Sequence, residues 1–381
     1  MKILHLCLSC FYIDGYNYQE NVLPRINMLD GHEVKIIAST ETYIDNYTLG
    51  YTEPNEYVNE DGIQVKRIPY KKIINTLFTT KIRKYKNLYE EIQLFQPDII
   101  MSHDLAYLSV LDVVRYVENH KNVKFYADTH TTADNSGTNW ISLNILHRWF
   151  YKKLIKKAEP FLDAYFYIGK GEKDFSIKNY KMNPEKMEFL PLGGVIFEDD
   201  EYNRKRQNYR EKLGLKNDEI LLLHTGKLTE LKRTEELIRA FNAVPELNAK
   251  LAIIGSIPEE RKEKILALVD ADSRITYLGW KQSTELIDYL CACDLYCQPG
   301  SCSATFQNAI CCNCPVLSYI HESYKDYDYG NIIWIDTEKD IENALRKIEE
   351  GSINLLEMSK SSEVCAKELL DYRALARKIY T

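Results

Sequence analysis

The feature that most constrains this chain is the alternation of short apolar segments with amphipathic ones, which runs through the sequence twice. In the first series the apolar segments, rich in Val, Ile and Tyr, lie at 2–8, 33–39, 97–102, 123–129 and 163–169. In the second series they lie at 219–226, 250–255, 274–279, 293–299 and 314–320. Segments with helical spacing separate them, such as 83–96 and 233–244. This alternation predicts an α/β fold in which helices cover both faces of parallel sheets.

A polar, charged segment at 196–218 divides the two series, and we interpret it as a linker followed by a helix. The chain is therefore predicted to form two doubly wound, Rossmann-like domains, residues 1–195 and 196–364, which face each other across a cleft. The amphipathic segment 365–381 is predicted to be a helix that packs back on the first domain. Ligands of doubly wound sheets bind at the carboxyl ends of the strands, so the site is expected there.

Composition excludes several classes of protein. A net charge of −7 and an isoelectric point near 5.8 argue against nucleic-acid binding. No apolar run approaches the roughly 20 residues that span a bilayer, and the first residues do not match a signal peptide. Ten cysteines without such a signal indicate a reducing compartment, and the expected location is cytoplasmic. The cysteine-rich stretch 291–314 lacks zinc-site spacing and histidines, so we interpret these cysteines as small buried core residues and predict no metal site.

Two lysines flank the turn that follows the first strand of the second series. That strand is predicted to end at Gly226 and the next helix to begin near Arg233, with Lys227 and Lys232 between them. Two cations beside a helix N-terminus suit a diphosphate group, because charge and backbone N–H groups converge there. The alternative is a pair of solvated surface lysines.

The stretch 298–319 predicts a second polar turn. A strand ends at Gln298, a small polar turn follows, and a helix is expected from about 303 to 312. Ser301 and Ser303 are placed to cap this helix. Gln307 and Asn308, one turn further, are placed to bind ribose hydroxyls. The alternative is an ordinary capped helix.

Taken in order, these residues resemble the donor-binding half of the GT-B glycosyltransferases of family 4. The resemblance rests on Gly226, Lys227, Leu228, Lys232, Gly255, Gly279, Glu285, Leu286, Asp294, Pro299, Ala309, Pro315 and Val316. It implies a GT-B fold and a retaining, metal-independent transferase without a cofactor, which uses a nucleotide diphosphate-sugar, UDP-linked, as donor. The implied donor-binding residues are Gly15, Tyr16, Gly226, Gly255, Ser256, Gly279, Ser301, Ser303, Gln307 and Asn308.

The first half extends the resemblance. The segment 14–29, DGYNYQENVLPRINML, resembles the loop that covers the donor diphosphate. This resemblance is the reason why Gly15 and Tyr16 are predicted to bind the donor. His130 follows a strand and matches a family histidine close to the reacting sugar. The resemblance thus implies that His130, Lys227 and Lys232 are the catalytic groups.

The chain departs from the family pattern in its glutamates and in one cation, and a further acidic motif is dismissed as a metal site. The glutamates of the usual E-x7-E arrangement fall on Gly300 and Asn308, so the donor-sugar contacts must differ. Lys227 stands where the family has Arg, which keeps the charge and loses bidentate geometry. The acidic triplet 270–272 lies at the wrong end of its sheet for a metal site.

Two basic segments stand out in this acidic chain. Residues 66–86 contain eight Lys or Arg and no acid, and 148–157 adds five more with aromatic residues between them. We interpret them either as solvated helix faces or as a surface that contacts an anionic membrane peripherally. The expected function is transfer of a sugar to a glycan acceptor, lipid-linked, in bacterial surface polysaccharide or glycoconjugate synthesis. Two alternatives stay open: a non-catalytic GT-B-like partner subunit, and a nucleotide-sugar epimerase on the same fold.

Overall fold

The computed structural model describes residues 1–45, 48–72, 76–133, 135–303 and 305–381. They form two compact units. The first unit comprises Met1–Pro191 together with Tyr372–Thr381, and the second comprises Leu192–Asp371. The last ten residues therefore belong to the first unit, although they follow the second in the chain.

The first unit is built on an eight-stranded sheet with a separate two-stranded hairpin. Its strands are β1 (Lys2–Cys7), β2 (Glu33–Ser39), β3 (Glu41–Asp45), β4 (Thr48–Tyr51), β5 (Glu56–Val58), β6 (Gln64–Ile68), β7 (Ile99–His103), β8 (Lys124–Thr129), β9 (Ala164–Tyr167) and β10 (Met187–Phe189). The sheet order is β10-β9-β8-β7-β1-β2-β6-β5, and β3 pairs with β4. Only β5 runs antiparallel to its neighbour in this sheet. The strand order reverses between β1 and β7, where ligands of such sheets usually bind.

The second unit has a six-stranded, entirely parallel sheet. Its strands are β11 (Ile220–Lys227), β12 (Ala249–Ser256), β13 (Ile275–Tyr277), β14 (Leu295–Gln298), β15 (Val316–Tyr319) and β16 (Ile332–Ile335). The order β13-β12-β11-β14-β15-β16 is that of the dinucleotide-binding fold. Its switch point lies between β11 and β14, so the residues after these two strands occupy the expected ligand position.

Helices connect the strands in both units. They are α1 (Gln19–Leu29), α2 (Thr76–Ile82), α3 (Leu88–Phe95), α4 (Val110–Asn119), α5 (Lys152–Ala158), α6 (Lys170–Phe175), α7 (Asp199–Lys212), α8 (Thr234–Asn242), α9 (Glu259–Asp270), α10 (Ser283–Ala292), α11 (Thr305–Cys311), α12 (Glu338–Glu349), α13 (Leu355–Cys365) and α14 (Tyr372–Arg377). π-Helical segments lie at Ser142–Tyr151, Ser176–Tyr180 and Ala366–Leu370, and short 3₁₀ turns at Glu159–Phe161, Pro184–Lys186, Glu230–Lys232 and Glu322–Tyr327. Among the described residues no helix is both long and apolar enough to cross a bilayer.

Both faces of the first sheet are buried, as the alternation predicts. Leu4 and Leu6 of β1 belong to the cluster that includes α3, α4 and α5. Ile3 and Cys7, on the opposite face of the same strand, belong to the cluster that includes α1 and α14. Because neighbouring strand residues point to opposite faces, one short strand anchors two hydrophobic cores.

Two sequence-based predictions about elements are corrected, and one is confirmed. The helix predicted at 83–96 begins only at Leu88, because Asn87 takes a left-handed conformation with φ 56°. Segment 365–381 is not one helix, since α13 and its π-helical continuation end at Leu370, and Asp371 pairs with Gly194 in a parallel bridge. The helix predicted within 196–218 is α7, which packs on α10 within the second unit. Strands β3 to β6 and β16 were not predicted.

Candidate functional site

Three glycines allow close backbone contact at the carboxyl edge of the second sheet. Gly226 is the second-last residue of β11 and has φ 132°, and Gly255 lies beside it in β12 with φ 145°. A Cβ atom on Gly255 would lie 1.7 Å from the carbonyl oxygen of Gly226. A Cβ atom on Gly300 would lie 1.9 Å from the carbonyl oxygen of Leu231. Only glycine fits at these positions, and the loops after β11 and β14 are thereby held against each other.

Lys232 lies inside this glycine corner. Its side chain is only 7% exposed, and its Nζ donates to the carbonyl oxygens of Ser301 at 3.0 Å and Cys302 at 3.5 Å. Burial lowers the pKa of Lys232, and the thiol of Cys302 acts in the opposite direction. Within the described residues no carboxylate pairs with this ammonium group. Since an ammonium group has three N–H donors, one remains available, and the buried charge lacks a counter-ion.

The other residues predicted around the phosphate turn surround this corner. Gly226 contacts Lys232, because a Cβ there would lie 3.1 Å from the Lys232 Cε. Gly279 accepts a hydrogen bond from the backbone N–H of Gly255 at 2.9 Å. Ser256 and Lys227 are exposed at the ends of β12 and β11. Of the two predicted cations, Lys227 thus corresponds to a solvated lysine and Lys232 does not.

The loop after β14 is fixed by side chains from the next strand connection. The hydroxyl of Tyr324 accepts from the backbone N–H of Ser303 at 3.1 Å and from Gln298 Nε2 at 2.7 Å. The ring of Tyr324 stacks on Phe306 of α11 at 3.8 Å between centroids. Ser303 Oγ accepts from the backbone N–H of Thr305, so Ser303 caps α11 as the sequence predicts.

Ser301, Gln307 and Asn308 complete the predicted residues of the second unit. Ser301 donates its backbone N–H to Leu231 at 2.8 Å and accepts from Lys232, so its backbone, rather than its hydroxyl, holds the loop. Gln307 Oε1 is buried and has no hydrogen-bond partner among the described residues. Asn308 Oδ1 lies beside Gly194, 3.2 Å from where a Cβ of that glycine would be.

The cysteines of this region are core residues, as predicted. All ten cysteines are free, and of those between 291 and 314 only Cys302 is exposed. Across the described ranges no group of three or more His, Cys, Asp or Glu is arranged to hold a metal ion. In the acidic triplet 270–272, Asp272 pairs with Arg274 at 2.7 Å.

The predicted residues of the first unit lie at its own sheet edge. Gly15 is exposed, with φ 76°, and its backbone N–H donates to Glu60 Oε1 at 2.5 Å. Tyr16 stacks on Tyr18 with ring centroids 5.1 Å apart. The backbone N–H of Gly15 is thus already hydrogen-bonded to the carboxylate of Glu60.

His130 follows β8 and faces a buried carboxylate. Its side chain is 36% exposed, and its Nε2 lies 3.7 Å from Asp128 Oδ2. Burial acts to lower the pKa of His130, but Asp128 outweighs it, and the pKa is raised. Asp128 is fully buried and accepts from His103 Nδ1 at 2.7 Å.

Sequence reasoning missed His103, Asp128 and Gln19. His103 and Asp128 belong to strands, and their residue types give no periodic signal. Gln19 begins α1 and is 1% exposed, with neither amide atom hydrogen-bonded within the described residues. Gln19 directly follows Tyr18 in segment 14–29, from which Gly15 and Tyr16 were predicted. The same resemblance could therefore have identified Gln19 as a candidate site residue.

The basic segment 66–86 is not a uniform surface, and this corrects the interpretation of it as one exposed patch. Arg67 of β6 is 3% exposed and donates to the carbonyl oxygens of Ser39 and Tyr12 and to Asp14. Lys66 and Lys84 form ion pairs with Glu56 and Asp112, respectively. Residues 73–75 of this segment lie outside the described residues.

Comparison with known proteins finds a family match over part of the chain. Residues 205–366 match the family model described as glycosyl transferases group 1. Over 160 residues the chain is 26% identical to the lipopolysaccharide glucosyltransferase WaaG of Escherichia coli (strain K12). This alignment covers 39% of the chain and 42% of WaaG, so it spans less than half the length of that relative.

Solved structures resemble the whole chain. Anabaena Alr3699/HepE in complex with UDP superposes with a TM-score of 0.66 at 14% identity, covering 100% of this chain and 98% of that one. WaaG, a glycosyltransferase involved in lipopolysaccharide biosynthesis, superposes with a TM-score of 0.61 at 17% identity, covering 99% of both chains. At such identities the likeness establishes the fold. The fold is that of the GT-B glycosyltransferases, and the part of the chain at 205–366 resembles the glycosyl transferases group 1 family.

Proposed function

We propose that the protein is a retaining glycosyltransferase that moves a sugar from a UDP-sugar to a glycan acceptor. The acceptor would be lipid-linked, and the product a bacterial surface polysaccharide or glycoconjugate. The second unit would bind the donor and the first the acceptor. Support comes from the family match over 205–366 and from the relatives, one of which is a lipopolysaccharide glucosyltransferase and another of which binds UDP.

The observation that carries this proposal is the uncompensated ammonium group of Lys232. A cation held by two carbonyl oxygens, with no carboxylate beside it in the described part of the chain, has lost water and gained no counter-charge. An anion bound at its open donor would restore the balance, and a diphosphate has the charge to do so. The corner lies at the switch point of the sheet, where nucleotides bind in this topology.

The same residues suggest how the transfer proceeds. Charge develops on the leaving diphosphate as the glycosidic bond breaks, and Lys232 and Lys227 would stabilise it. Because two side-chain cations can supply this stabilisation, we propose that the reaction needs no divalent metal ion. Gln307 or Asn308 would bind the ribose hydroxyls, and His130 would contact the donor sugar.

Nucleotide binding tests the donor site. Thermal shift and calorimetry with UDP, GDP, ADP and CMP, each with Mg²⁺ and with EDTA, should give a shift with UDP that is independent of the metal. Lys232→Ala should weaken UDP binding more than tenfold. Lys262→Ala is the matched control, because Lys262 is a half-exposed lysine of the same unit that pairs with Glu259. Equal UDP affinity in the Lys232 variant and the wild type would contradict the proposed site.

Turnover separates the proposal from its alternatives. Incubation with a UDP-sugar and lipid-linked glycan should give an extended glycan with retained anomeric configuration. Binding of UDP without transfer to any acceptor would favour the non-catalytic partner subunit. Conversion of the nucleotide-sugar to its epimer without an acceptor would favour the epimerase.

We also propose that the first unit contacts an anionic membrane from the cytoplasmic side. Ile141, Ile145, Trp149 and Lys153 recur every four residues, and the first three are 62%, 45% and 58% exposed. Trp140, 70% exposed, lies beside them, and Lys153 Nζ lies 4.3 Å from the Trp149 ring centroid. Aromatic and cationic side chains on one helix face suit a negatively charged lipid interface.

Vesicle flotation tests the membrane contact. The full chain should float with vesicles that contain anionic phospholipid and not with neutral ones. Trp149→Ala with Lys153→Ala should reduce flotation at least fivefold, whereas Leu356→Ala, which removes an exposed apolar residue of the second unit, should not. Equal flotation of all variants would exclude this helix as the contact.

A further inference from the structure

A continuous chain of hydrogen bonds crosses the interior of the first unit. Asn27 Nδ2 of α1 donates to the carbonyl oxygen of Ala376 at 3.4 Å, and Asn27 Oδ1 lies 2.8 Å from His5 Nε2. His5 Nδ1 lies 3.2 Å from His103 Nε2, and His103 Nδ1 lies 2.7 Å from Asp128 Oδ2. These four side chains are at most 2% exposed. The chain runs from α14 through β1 and β7 to β8, the strand that carries His130.

The partners at both ends determine how many protons the two histidines hold. Asn27 Oδ1 can only accept, so His5 Nε2 carries a hydrogen. Asp128 as a carboxylate can only accept, so His103 Nδ1 carries a hydrogen. The contact between the two rings requires one further hydrogen. Three ring hydrogens on two imidazoles amount to one positive charge on the pair.

The positive charge belongs on His103. His103 contacts the carboxylate directly, whereas His5 is separated from it by the other ring. Burial, followed by the charge of His103, lowers the pKa of His5 to about 3. Burial also acts to lower the pKa of His103, but Asp128, Cys7 and Glu20 outweigh it and raise the value to about 9.

We propose that His103 is a buried imidazolium that neutralises Asp128, and that His103 and Asp128 together are positioning residues for His130. Asp128 Oδ1 is held by the backbone N–H of Asp104 at 3.0 Å, so the carboxylate cannot turn away. Its Oδ2 is directed at His103 and, at 3.7 Å, at His130 Nε2. Because His103 already balances the carboxylate, His130 can change its protonation or bind a ligand without leaving a buried charge unpaired.

This arrangement predicts opposite effects for two substitutions. Asp128→Asn removes the negative charge beside His130 and should lower its pKa. His103→Gln removes the counter-ion, leaves Asp128 uncompensated, and should raise the pKa of His130. A role limited to packing would not shift the titration of His130 in opposite directions.

Nuclear magnetic resonance of the full chain with ¹⁵N-labelled histidine tests the proposal without an activity assay. Wild-type His103 should show hydrogens on both ring nitrogens at pH 8, and His5 on Nε2. A neutral His103 in the wild type would overturn the proposal even if neither variant folds. His147→Gln is the matched control: His147 is equally buried in the same unit, bonds to Tyr180 and Ser136, and should leave the titration of His130 unchanged.

The part that concerns transfer rests on the proposed function, and kinetics tests it separately. Asp128→Asn should lower kcat by roughly 10- to 100-fold, the range typical when a partner that orients a histidine is lost. The KM for the nucleotide-sugar should stay within twofold. Unchanged kcat in this variant would refute the positioning role. A wild-type enzyme without turnover would refute the proposed function and leave the magnetic resonance result to decide the charge of His103.

Discussion

The carboxyl edges of the two sheets are built in different ways. In the second unit the edge is made of backbone: glycines of β11 and β12 touch, the loop at Gly300 contacts Leu231, and Lys232 bonds to carbonyl oxygens. In the first unit the edge is made of side chains: the buried pair of His5 and His103 bonds to Asp128, which lies next to His130. The edge of the second unit leaves no room for side chains at its glycines, whereas the edge of the first unit depends on particular charged side chains.

This difference decides how each edge tolerates change. A backbone-built edge fails when any atom is added, because carbonyl oxygens cannot move away without breaking the strand pairing. A side-chain-built edge fails when a charge is removed, because the remaining charge is buried without a partner. Substitution should therefore act sterically in the second unit and electrostatically in the first.

The largest effect is expected from Gly255→Ala. The added Cβ would overlap the carbonyl oxygen of Gly226, at 1.7 Å, in a conformation with φ 145° that disfavours alanine. We expect the second unit to lose about 3 kcal/mol or more of its free energy of unfolding. Urea denaturation followed by hydrogen exchange of β11 and β12 would measure the loss.

Gly279→Ala separates steric overlap from backbone strain. Gly279 also has a positive φ, 71°, but no atom lies within 4 Å of its Cβ position. Its substitution should cost only about 1 kcal/mol, from strain alone. Similar losses for the two variants would show that the contact between β11 and β12 relaxes easily, contrary to a rigid backbone-built edge.

An intermediate effect is expected from pH, and it should appear in the first unit. The pKa of His103 is raised to about 9 from the ordinary 6.5, so its contribution to stability is complete below pH 6.5 and is lost as pH rises through about 9. The loss should be about 3 kcal/mol. Hydrogen exchange of β7 and β8 amides between pH 6.5 and 9.5, corrected for intrinsic rates, would detect it.

Acid should destabilise the same unit through a different group. The pKa of His5 is lowered to about 3, so the neutral ring is favoured in the folded state and stability is lost as pH falls below 6.5. The first unit should therefore be most stable near pH 6.5. His103→Gln should abolish the alkaline loss, whereas His147→Gln should keep it, because the pKa of His147 is lowered. An alkaline loss that persists without His103 would assign it to another group.

The smallest effect is expected from Lys227→Ala. Lys227 is exposed at the end of β11, so its charge acts through solvent, whereas Lys232 acts from a buried position. UDP affinity should fall by only about two- to fivefold, the size expected of an exposed ionic contact. Calorimetry of the Lys227 and Lys232 variants side by side would test the difference, and equal losses would mean that burial of Lys232 brings no advantage.

Much of the fold could be predicted because both sheets are buried on two faces. Near-continuous apolar runs gave β1, β2, β7, β8 and β9 and five strands of the second unit to within about three residues at each end. The strands that were missed are short or mixed. β6, for example, has the sequence QVKRI and buries Arg67, which looks like part of a basic surface segment until its partners are known.

The two candidate sites differ in what the sequence can reveal. Glycines and lysines at strand ends form a pattern along the chain, so Gly226, Gly255 and Lys232 could be selected beforehand. The histidine pair could not, because His5, His103 and Asp128 are 98 and 25 residues apart in successive contacts. These residues can be recognised as one cluster only in the folded structure, where neighbouring parallel strands bring them to the same level of the sheet. Gly300 was noted as a lost glutamate, whereas the structure shows that the backbone of Leu231 leaves no room for a side chain there.

The return of residues 372–381 to the first unit has a consequence for synthesis on the ribosome. Leu375 and Ile379 share a core cluster with Val22 and Ile26 of α1, and Ala376 accepts the last hydrogen bond of the histidine chain. The first unit therefore stays incomplete while Leu192–Asp371 is translated, which takes about 10 to 40 seconds at ordinary elongation rates. During that interval the apolar residues of α1 that pack on α14 lack these partners. The second unit starts later along the chain, but its last residue is translated before that of the first unit.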